Sequence, residues 1–390
     1  MRLIWNIAIA VTAPVTAECF AQAETVMAAT DCFAQAEMTV MAAETSQNEK
    51  IALPAEVYVE GGKSHVQGLA LDAQAGKMYF SFTTSFVKTD LEGRVLGSID
   101  RIQGHLGAMT FDPRERKVYA TLECKDDAIG AGLSAFAKGR SMFYVAIIDV
   151  DRIDRIGMDS EDNDAFRIVC IKDATRDYHY EGHRYGCSGI DGIALAPKLG
   201  RKAGKGAYLY VAYGIYGDKD RRDNDYQVLL RYDTRALEKF AGKVKYGEFY
   251  EEGPEKAMDK YFIFTGNTNW GVQNLAYDET SGLMYMAVYK GSKPEFGNFD
   301  LFVFAISQKP SRAHLEGVSY DRTGHKTIGS REAPVTGFRF KYGSTGLCPA
   351  GGGLFYLSEN GKNPDSGRQF CRARLYRWTG AAEGCFERVE

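Results

Sequence analysis

The chain has 390 residues, enough to bury a large core, and no Pro-rich or low-complexity linker divides it after residue 50. Its formal charge of −3 gives no reason to expect nucleic acid or an anionic membrane surface as a partner. Aromatic residues make up 12% of the sequence and glycine contributes 42 residues, a composition typical of a turn-rich β protein that can bind sugar.

The first 45 residues predict an export leader. An apolar run from Leu3 to Val15 follows Met1-Arg2, and it is too short to span a membrane as a helix. The phrase Cys-Phe-Ala-Gln-Ala-Glu then occurs twice, beginning at Cys19 and at Cys32. Glu18 directly before Cys19 disfavours a lipoprotein signal. We therefore expect residues 1–45 to be a signal peptide and duplicated leader, and residues 46–390 to be one exported domain, periplasmic or extracellular, monomeric and not inserted in a membrane.

One phrase recurs along the rest of the chain. A small or polar start, a short apolar strand, a turn and a tyrosine-bearing strand occupy His65–Asp72 with Tyr79, His105–Asp112 with Tyr119, and Gly271–Asp278 with Tyr285. Looser copies cover Cys187–Tyr210 and Gly343–Tyr356. A strand–turn–strand unit that cannot bury its own faces indicates a repeat architecture, and the lack of helical periodicity favours a β-propeller.

Each copy extends toward a four-stranded blade. The first predicts strands at Gly68–Asp72, Met78–Phe82, Phe86–Asp90 and Val95–Ile99. The residues alone support five blades, and the long intervals 124–186 and 215–269 leave room for two more. The repeated aspartates Asp72, Asp112 and Asp278 are interpreted as turn residues.

The repeat also predicts where a site would lie. An innermost strand leaves one mouth of the central channel and the second strand returns to it, so their ends share a face. We expect His65 and His105, which occupy equivalent positions in two copies of the repeat, to belong to a site there. The predicted substrate-binding residues are Lys125, His183, Arg184, Tyr213, Tyr216, Arg222, Trp270, Gln273 and Lys290. Cations for a carboxylate and aromatic rings for a pyranose face suit an anionic sugar.

Metal ligands and disulfides have less support in the sequence. No C-x-x-C pair occurs, and Asp218–Asp225 lacks the Gly and terminal Glu of an EF-hand, so no metal ligand is predicted. We expect any reaction at this site to need no cofactor. Binding of a structural calcium ion remains an open alternative. Cys371 and Cys385 are either a disulfide in the last blade or two isolated buried thiols.

Several longer phrases resemble one group of exported propellers. They are His65-Val-Gln-Gly, Gly104-His105-Leu-Gly, the run from His183 to Gly192, Tyr213-Gly-Ile-Tyr-Gly217, Asp223–Gln227, Thr265–Gly271, Val288–Gly291 and Gly343–Gly346. Together they resemble glycoside hydrolase family 145 and polysaccharide lyase family 42. The resemblance implies seven blades, a catalytic histidine at His65, and L-rhamnose-α-1,4-D-glucuronate caps of arabinogalactan or gum arabic as substrate.

Three functions remain after this comparison. The match at His65 favours an α-L-rhamnosidase, in which a histidine acid/base works with the substrate's own carboxylate. The alternative is a lyase acting by β-elimination, for which His105, His183, Arg184, Tyr213 and Lys290 could supply the base and the cation. The third is a non-catalytic glycan-binding propeller.

Overall fold

The structure is a computed structural model in which five β-sheets form a β-propeller. It describes residues 52–62, 64–127, 130, 140–179, 189–214, 218–316, 318, 322–342 and 345–390. The predicted leader, residues 1–45, lies outside this part of the chain.

The strands of the first two blades follow the repeat. Strand β1 (Glu56–Glu60) comes first in the chain but belongs to the fifth blade. The first blade contains β2 (Gly68–Asp72), β3 (Lys77–Ser81), β4 (Phe86–Asp90) and β5 (Val95–Asp100). The second contains β6 (His105–Asp112), β7 (Lys117–Cys124) and β8 (Met142–Asp149). A 3-10 turn (Val150–Arg152) and β9 (Met158–Asp159), which pairs in parallel with β5, precede its outermost strand β10 (Phe166–Cys170).

The remaining blades carry additions at their outer edges. Helix α1 (Lys172–His179) leads to the third blade, which is β11 (Gly192–Ala196), β12 (Tyr208–Tyr213), β13 (Tyr226–Tyr232), helix α2 (Thr234–Glu238) and β14 (Asp259–Phe264). The fourth blade contains β15 (Thr268–Asp278), β16 (Leu283–Lys290) and β17 (Leu301–Ala305). The next two strands, β18 (Ser311–Ala313) and β19 (His325–Ile328), extend the third sheet instead. Strand β20 (Thr336–Phe338) then completes the fourth blade. The fifth is β21 (Leu347–Gly351), β22 (Leu354–Lys362) and β23 (Gln369–Trp378), with β24 (Phe386–Arg388) and β1 both paired to β23.

The five innermost strands close into a ring. Strands β2, β6, β11, β15 and β21 each contact the next, and β21 contacts β2. Strand β1 pairs antiparallel with β23, so the two ends of the described chain share the fifth sheet. The expected count of seven blades is therefore wrong, because the intervals 124–186 and 215–269 hold outer strands and helices of the second and third blades.

The repeated tyrosine joins neighbouring blades. Tyr79, Tyr119, Tyr210, Tyr285 and Tyr356 all lie on second strands and are fully buried. Each packs against the following blade, as Tyr285 does with its ring centroid 4.8 Å from that of Phe355 and 5.0 Å from that of Trp378. Burying an aromatic ring is worth a few kcal/mol, so one residue per repeat contributes much of the adhesion between blades.

The repeated aspartate closes the turn after the innermost strand of the first, second and fourth blades, as predicted. Asp72 accepts a hydrogen bond from the amide of Ala75 at 3.0 Å, Asp112 from that of Arg114 at 2.9 Å, and Asp278 from that of Ser281 at 3.0 Å. These bonds satisfy the carboxylates where the chain reverses direction. They also set the register in which the second strand returns.

The cysteines in the described part of the chain are free thiols. Cys371 is buried where β23 meets β1, and Cys385 donates to the carbonyl of Arg339. The alternative of a Cys371–Cys385 disulfide is therefore wrong. Among the described residues, no helix combines the length and the apolar character that crossing a membrane would need.

Candidate functional site

A buried polar group lies where the innermost strands of the second and third blades begin. His105 opens β6 and pairs with Glu123 near the end of β7. Asp191 directly precedes β11, and the His105 Nδ1 atom lies 3.8 Å from its Oδ1 atom. One ligand atom from each of these three side chains lies within 4.8 Å of the other two. We call His105, Glu123 and Asp191 the mouth cluster.

The backbone before β11 holds the Glu123 carboxylate in place. The amide of Ile190 donates to Glu123 Oε1 at 2.6 Å. A β-carbon on Gly189 would lie 1.6 Å from the same oxygen, so only glycine allows the chain to pass so close. On the other side, Lys125 Nζ lies 3.5 Å from Glu123 Oε2 and 3.3 Å from Asp127 Oδ2. The carboxylate is thereby fixed between two blades.

Burial dominates the electrostatics of the mouth cluster. Burial and the nearby Asp191 carboxylate raise the pKa of Glu123 to about 7. Burial also raises the pKa of Asp191 to about 7, although Lys125 opposes the shift. Burial lowers the pKa of His105, which favours the neutral imidazole. Burial alone would lower the pKa of Lys125, but the surrounding carboxylates raise it overall. Shifts of this kind are typical of functional sites.

His65 lies at the rim of this mouth. Its imidazole is exposed, and its Nε2 atom is 3.0 Å from Oε1 of the buried Gln67. The backbone of Gln67 continues the first blade, since its amide donates to Ser81 and its carbonyl accepts from Gly346 of the fifth blade. An exposed imidazole is thus positioned by a rigid part of the ring.

Three other predicted residues lie on the fourth blade. They are on β15, which begins at the mouth, and on β16, which ends there. Lys290 ends β16 opposite Thr268 of β15, and its side chain is exposed. Trp270 on β15 is 45% exposed. Gln273 is buried, and its Nε2 atom donates to the Val272 carbonyl at 3.4 Å. Trp270 and Lys290 therefore offer an aromatic face and a cation at this rim.

Two predicted residues lie elsewhere. Tyr213 is fully buried in the core between the second and third blades, and its hydroxyl donates to Asp177 of α1. A fully buried phenol has no free face for a sugar, which argues against its expected role. Arg222 lines a separate cavity of about 770 Å³ with Lys293 and Arg331. The expected residues His183, Arg184 and Tyr216 lie outside the described residues.

The sequence missed the mouth cluster as a unit. Neither Glu123 nor Asp191 was among the predicted catalytic or substrate-binding residues. The turn between Asp112 and Lys117 could have indicated part of the cluster. Pairing the residues of the two strands outward from this turn places Glu123 near His105. The β-bulge between Leu106 and Met109 shifts that register and could not be read from the pattern.

The opposite end of the channel has a different character. The innermost strands finish around a cavity of about 430 Å³. Its lining includes Leu69, Met109, Leu275 and Leu347, with the turn aspartates at its margin. The lining near the ring is apolar, in contrast to the mouth cluster.

Comparison with known proteins gives only remote similarities to solved structures. No model of a known family and no curated protein matches the sequence. The chain is similar to hydrazine synthase of Kuenenia stuttgartiensis, with 8% identity, 75% of this chain and 61% of that chain covered, and a TM-score of 0.36. It is also similar to a calcium structure of a Trichoderma reesei carbohydrate-active enzyme of family AA12, with 9% identity, 79% and 80% covered, and a TM-score of 0.38. A third similar structure is the β-propeller domain of Myceliophteria thermophila Cps50 (Swd1), with 12% identity, 83% and 72% covered, and a TM-score of 0.34. The chain thus spans less than two thirds of the hydrazine synthase chain.

Proposed function

We propose that this protein is an α-L-rhamnosidase that removes terminal L-rhamnose from L-rhamnose-α-1,4-D-glucuronate caps, with His65 as the acid/base. The observation that carries the proposal is the exposed His65 imidazole, held 3.0 Å from the Oε1 atom of buried Gln67. The proposed substrate is the one implied by the sequence resemblance around His65. The five blades do not support that resemblance, so the support for the proposal comes from the residues at the mouth.

The Gln67 contact assigns the two ring nitrogens of His65. An amide oxygen accepts from Nε2–H, which leaves Nδ1 as the proton acceptor in the neutral ring. In hydrolysis the water oxygen bonds to the anomeric carbon of rhamnose and the bond to the glucuronate oxygen breaks. His65 can take the proton that the water loses and deliver it to the leaving oxygen.

The rim supplies binding groups of the expected kinds. Trp270 presents an exposed ring for the apolar face of a pyranose, and Lys290 an exposed ammonium for the uronate. Glu123 and Asp191 are only 3% and 4% exposed, so a pair of carboxylates flanking the bond is less accessible than His65.

The mouth cluster favours a second candidate, the β-elimination lyase. Burial lowers the pKa of His105, which favours the neutral imidazole, and the Lys125 charge is close enough to act on it, so a base and a cation are adjacent. In elimination the base removes the proton at the fifth carbon of the uronate, a double bond forms to the fourth carbon, and rhamnose leaves with a proton. The His105 side chain is only 18% exposed, which favours the hydrolase.

The test is incubation with a rhamnose-capped glucuronate oligosaccharide, following free rhamnose and ultraviolet absorbance together. We expect rhamnose without an absorbance change, and a loss of roughly 100- to 10,000-fold in turnover in His65→Ala. The matched control is His314→Ala, which removes an exposed histidine from the separate cavity lined by Arg222 and should retain turnover.

Two other results would overturn the proposal. Rising absorbance from an unsaturated uronate, abolished in His105→Ala, would establish the lyase. Sugar binding without any product would establish a glycan-binding propeller.

A further inference from the structure

We propose that His105, Glu123 and Asp191, together with Thr121, bind one divalent cation of the manganese or zinc type between the second and third blades. The sequence predicted no metal ligand, and the inference does not depend on the proposed rhamnosidase activity, since His65 is not among the ligands.

The four side chains come from three strand segments that converge at the channel. Thr121 and Glu123 are two residues apart on β7, so their side chains project from the same face of the strand. His105 enters from the paired strand β6, and Asp191 from the start of the third blade. Ligand atoms of His105, Glu123 and Asp191 within 4.8 Å of one another have the spacing of groups that share one ion.

Two oxygens in this group have no hydrogen-bond partner among the described residues. They are Thr121 Oγ1 and Asp191 Oδ1, on side chains that are 0% and 4% exposed. A buried hydroxyl left unpaired is costly, and a cation beside Thr121 Oγ1 would offset that cost. Thr121 is neutral, and its orientation is therefore an observation independent of the carboxylates.

Gly107 shows that the two unpaired oxygens face the same space. A β-carbon on Gly107 would lie 2.4 Å from Thr121 Oγ1 and 2.5 Å from Asp191 Oδ1. Both oxygens therefore converge beside the backbone of β6, where glycine leaves room. They do not hydrogen-bond to each other, yet they lie within about 5 Å, a span that one cation with bonds of about 2.0–2.6 Å can bridge.

Charge and orientation also suit a cation. Lys125 contacts two carboxylates, those of Glu123 and Asp127, and the Asp191 carboxylate adds a third negative charge nearby. A divalent ion would offset this buried excess. The amide of Ile190 holds Glu123 Oε1, as outer hydrogen bonds orient carboxylate ligands in metal sites.

The donor set selects the kind of ion. Calcium takes six to eight oxygen ligands, whereas an imidazole nitrogen with two carboxylates and a hydroxyl suits manganese or zinc. We therefore expect manganese or zinc to bind more tightly than calcium or magnesium.

The experiment is calorimetric titration of chelator-treated full-length protein with each of these four metal salts, paired with thermal unfolding. Wild type should bind one manganese or zinc ion and melt at a higher temperature when loaded. Asp191→Asn should weaken binding on the order of 100-fold, and Thr121→Val on the order of 10-fold. Asp154→Asn, at an exposed aspartate outside the mouth cluster, is the matched control and should bind as wild type does.

Folding failure cannot mimic the expected result. Thr121→Val replaces an unpaired hydroxyl with a methyl group of similar shape, so the metal-free variant should melt at or above the wild-type temperature while binding metal more weakly. No binding by wild type, unchanged binding by Asp191→Asn, or tighter binding of calcium than of manganese and zinc would each overturn the proposal.

Discussion

Both ends of the channel bury an aspartate, but only one end supplies hydrogen-bond donors to its carboxylate. Where the innermost strands finish, Asp112 accepts from the Arg114 amide at 2.9 Å and from Arg114 Nη2 at 2.8 Å. Where they begin, Asp191 Oδ1 has no hydrogen-bond partner among the described residues. Both aspartates are almost wholly buried, so burial alone does not distinguish them. The difference lies in the donors that the local chain supplies.

The pKa shifts of the two residues express this contrast. Burial would raise the pKa of Asp112, but the hydrogen bonds from Arg114 lower it overall. Burial raises the pKa of Asp191 to about 7, since the Lys125 charge only partly opposes it. A satisfied carboxylate stabilises a turn, whereas an unsatisfied one retains the capacity to bind a proton or a cation.

The largest expected effect concerns activity and separates the two ends. His65→Ala should reduce rhamnose release by roughly 100- to 10,000-fold, because it removes the acid/base at the mouth. Lys205→Ala removes a charge that lines the cavity at the opposite end and should leave the rate unchanged. Rates of free rhamnose release measure both variants, and equal losses would mean that the assigned end is wrong.

The next effect concerns stability, and its sign should differ between the ends. Asp112→Asn should cost about 2 kcal/mol of unfolding free energy, because it weakens charge-assisted hydrogen bonds. Asp191→Asn in chelated protein should gain about 1 kcal/mol, because it removes a buried and poorly compensated charge. Urea unfolding of both variants beside wild type measures the difference, and a shared sign would contradict the contrast.

The pH dependence of stability should also differ in direction. Glu123 and Asp191 have raised pKa values in the folded chain, so their folded forms hold protons that the unfolded chain releases. Their destabilising effect is absent below the unfolded pKa of about 4 and grows as pH rises through about 7. Asp112 has a lowered pKa, so its stabilisation is present above about 4 and is lost as pH falls through the folded value.

Thermal unfolding of chelated protein tests this dependence. The melting temperature should fall between about pH 5 and pH 7 and level off above that range, and it should fall less in Asp191→Asn. Equal slopes in the two proteins would show that Asp191 does not contribute.

The smallest effect tests whether unpaired polar groups matter beyond the mouth. The Tyr79 hydroxyl has no hydrogen-bond partner among the described residues, whereas Tyr356 donates to the Pro54 carbonyl at 2.7 Å. Tyr79→Phe should therefore be neutral or stabilising, and Tyr356→Phe should cost about 1 kcal/mol. Chemical denaturation resolves the pair, and a loss at Tyr79 would indicate a partner that satisfies its hydroxyl.

Local chemistry made several elements predictable from the sequence. The bounds of β2 and β4 follow from apolar alternation and turn residues, and the repeated aspartates act in the turns as expected. The same repeat placed His65 and His105 at one mouth, because antiparallel strands return to the face they leave.

The number of blades and the composition of the site depended on tertiary contacts. Outer strands such as β9 and β19 join sheets in parallel across long separations, and β1 pairs with β23 from the far end of the chain. The mouth cluster requires the bulge in β6, the glycine at Gly189 and the contact between two blades. The sequence alone thus determined the repeat and its turns, since these rest on neighbouring residues. Only the tertiary structure decided the five-membered ring and the meeting of Thr121, Glu123 and Asp191, because both arise from pairings between distant segments.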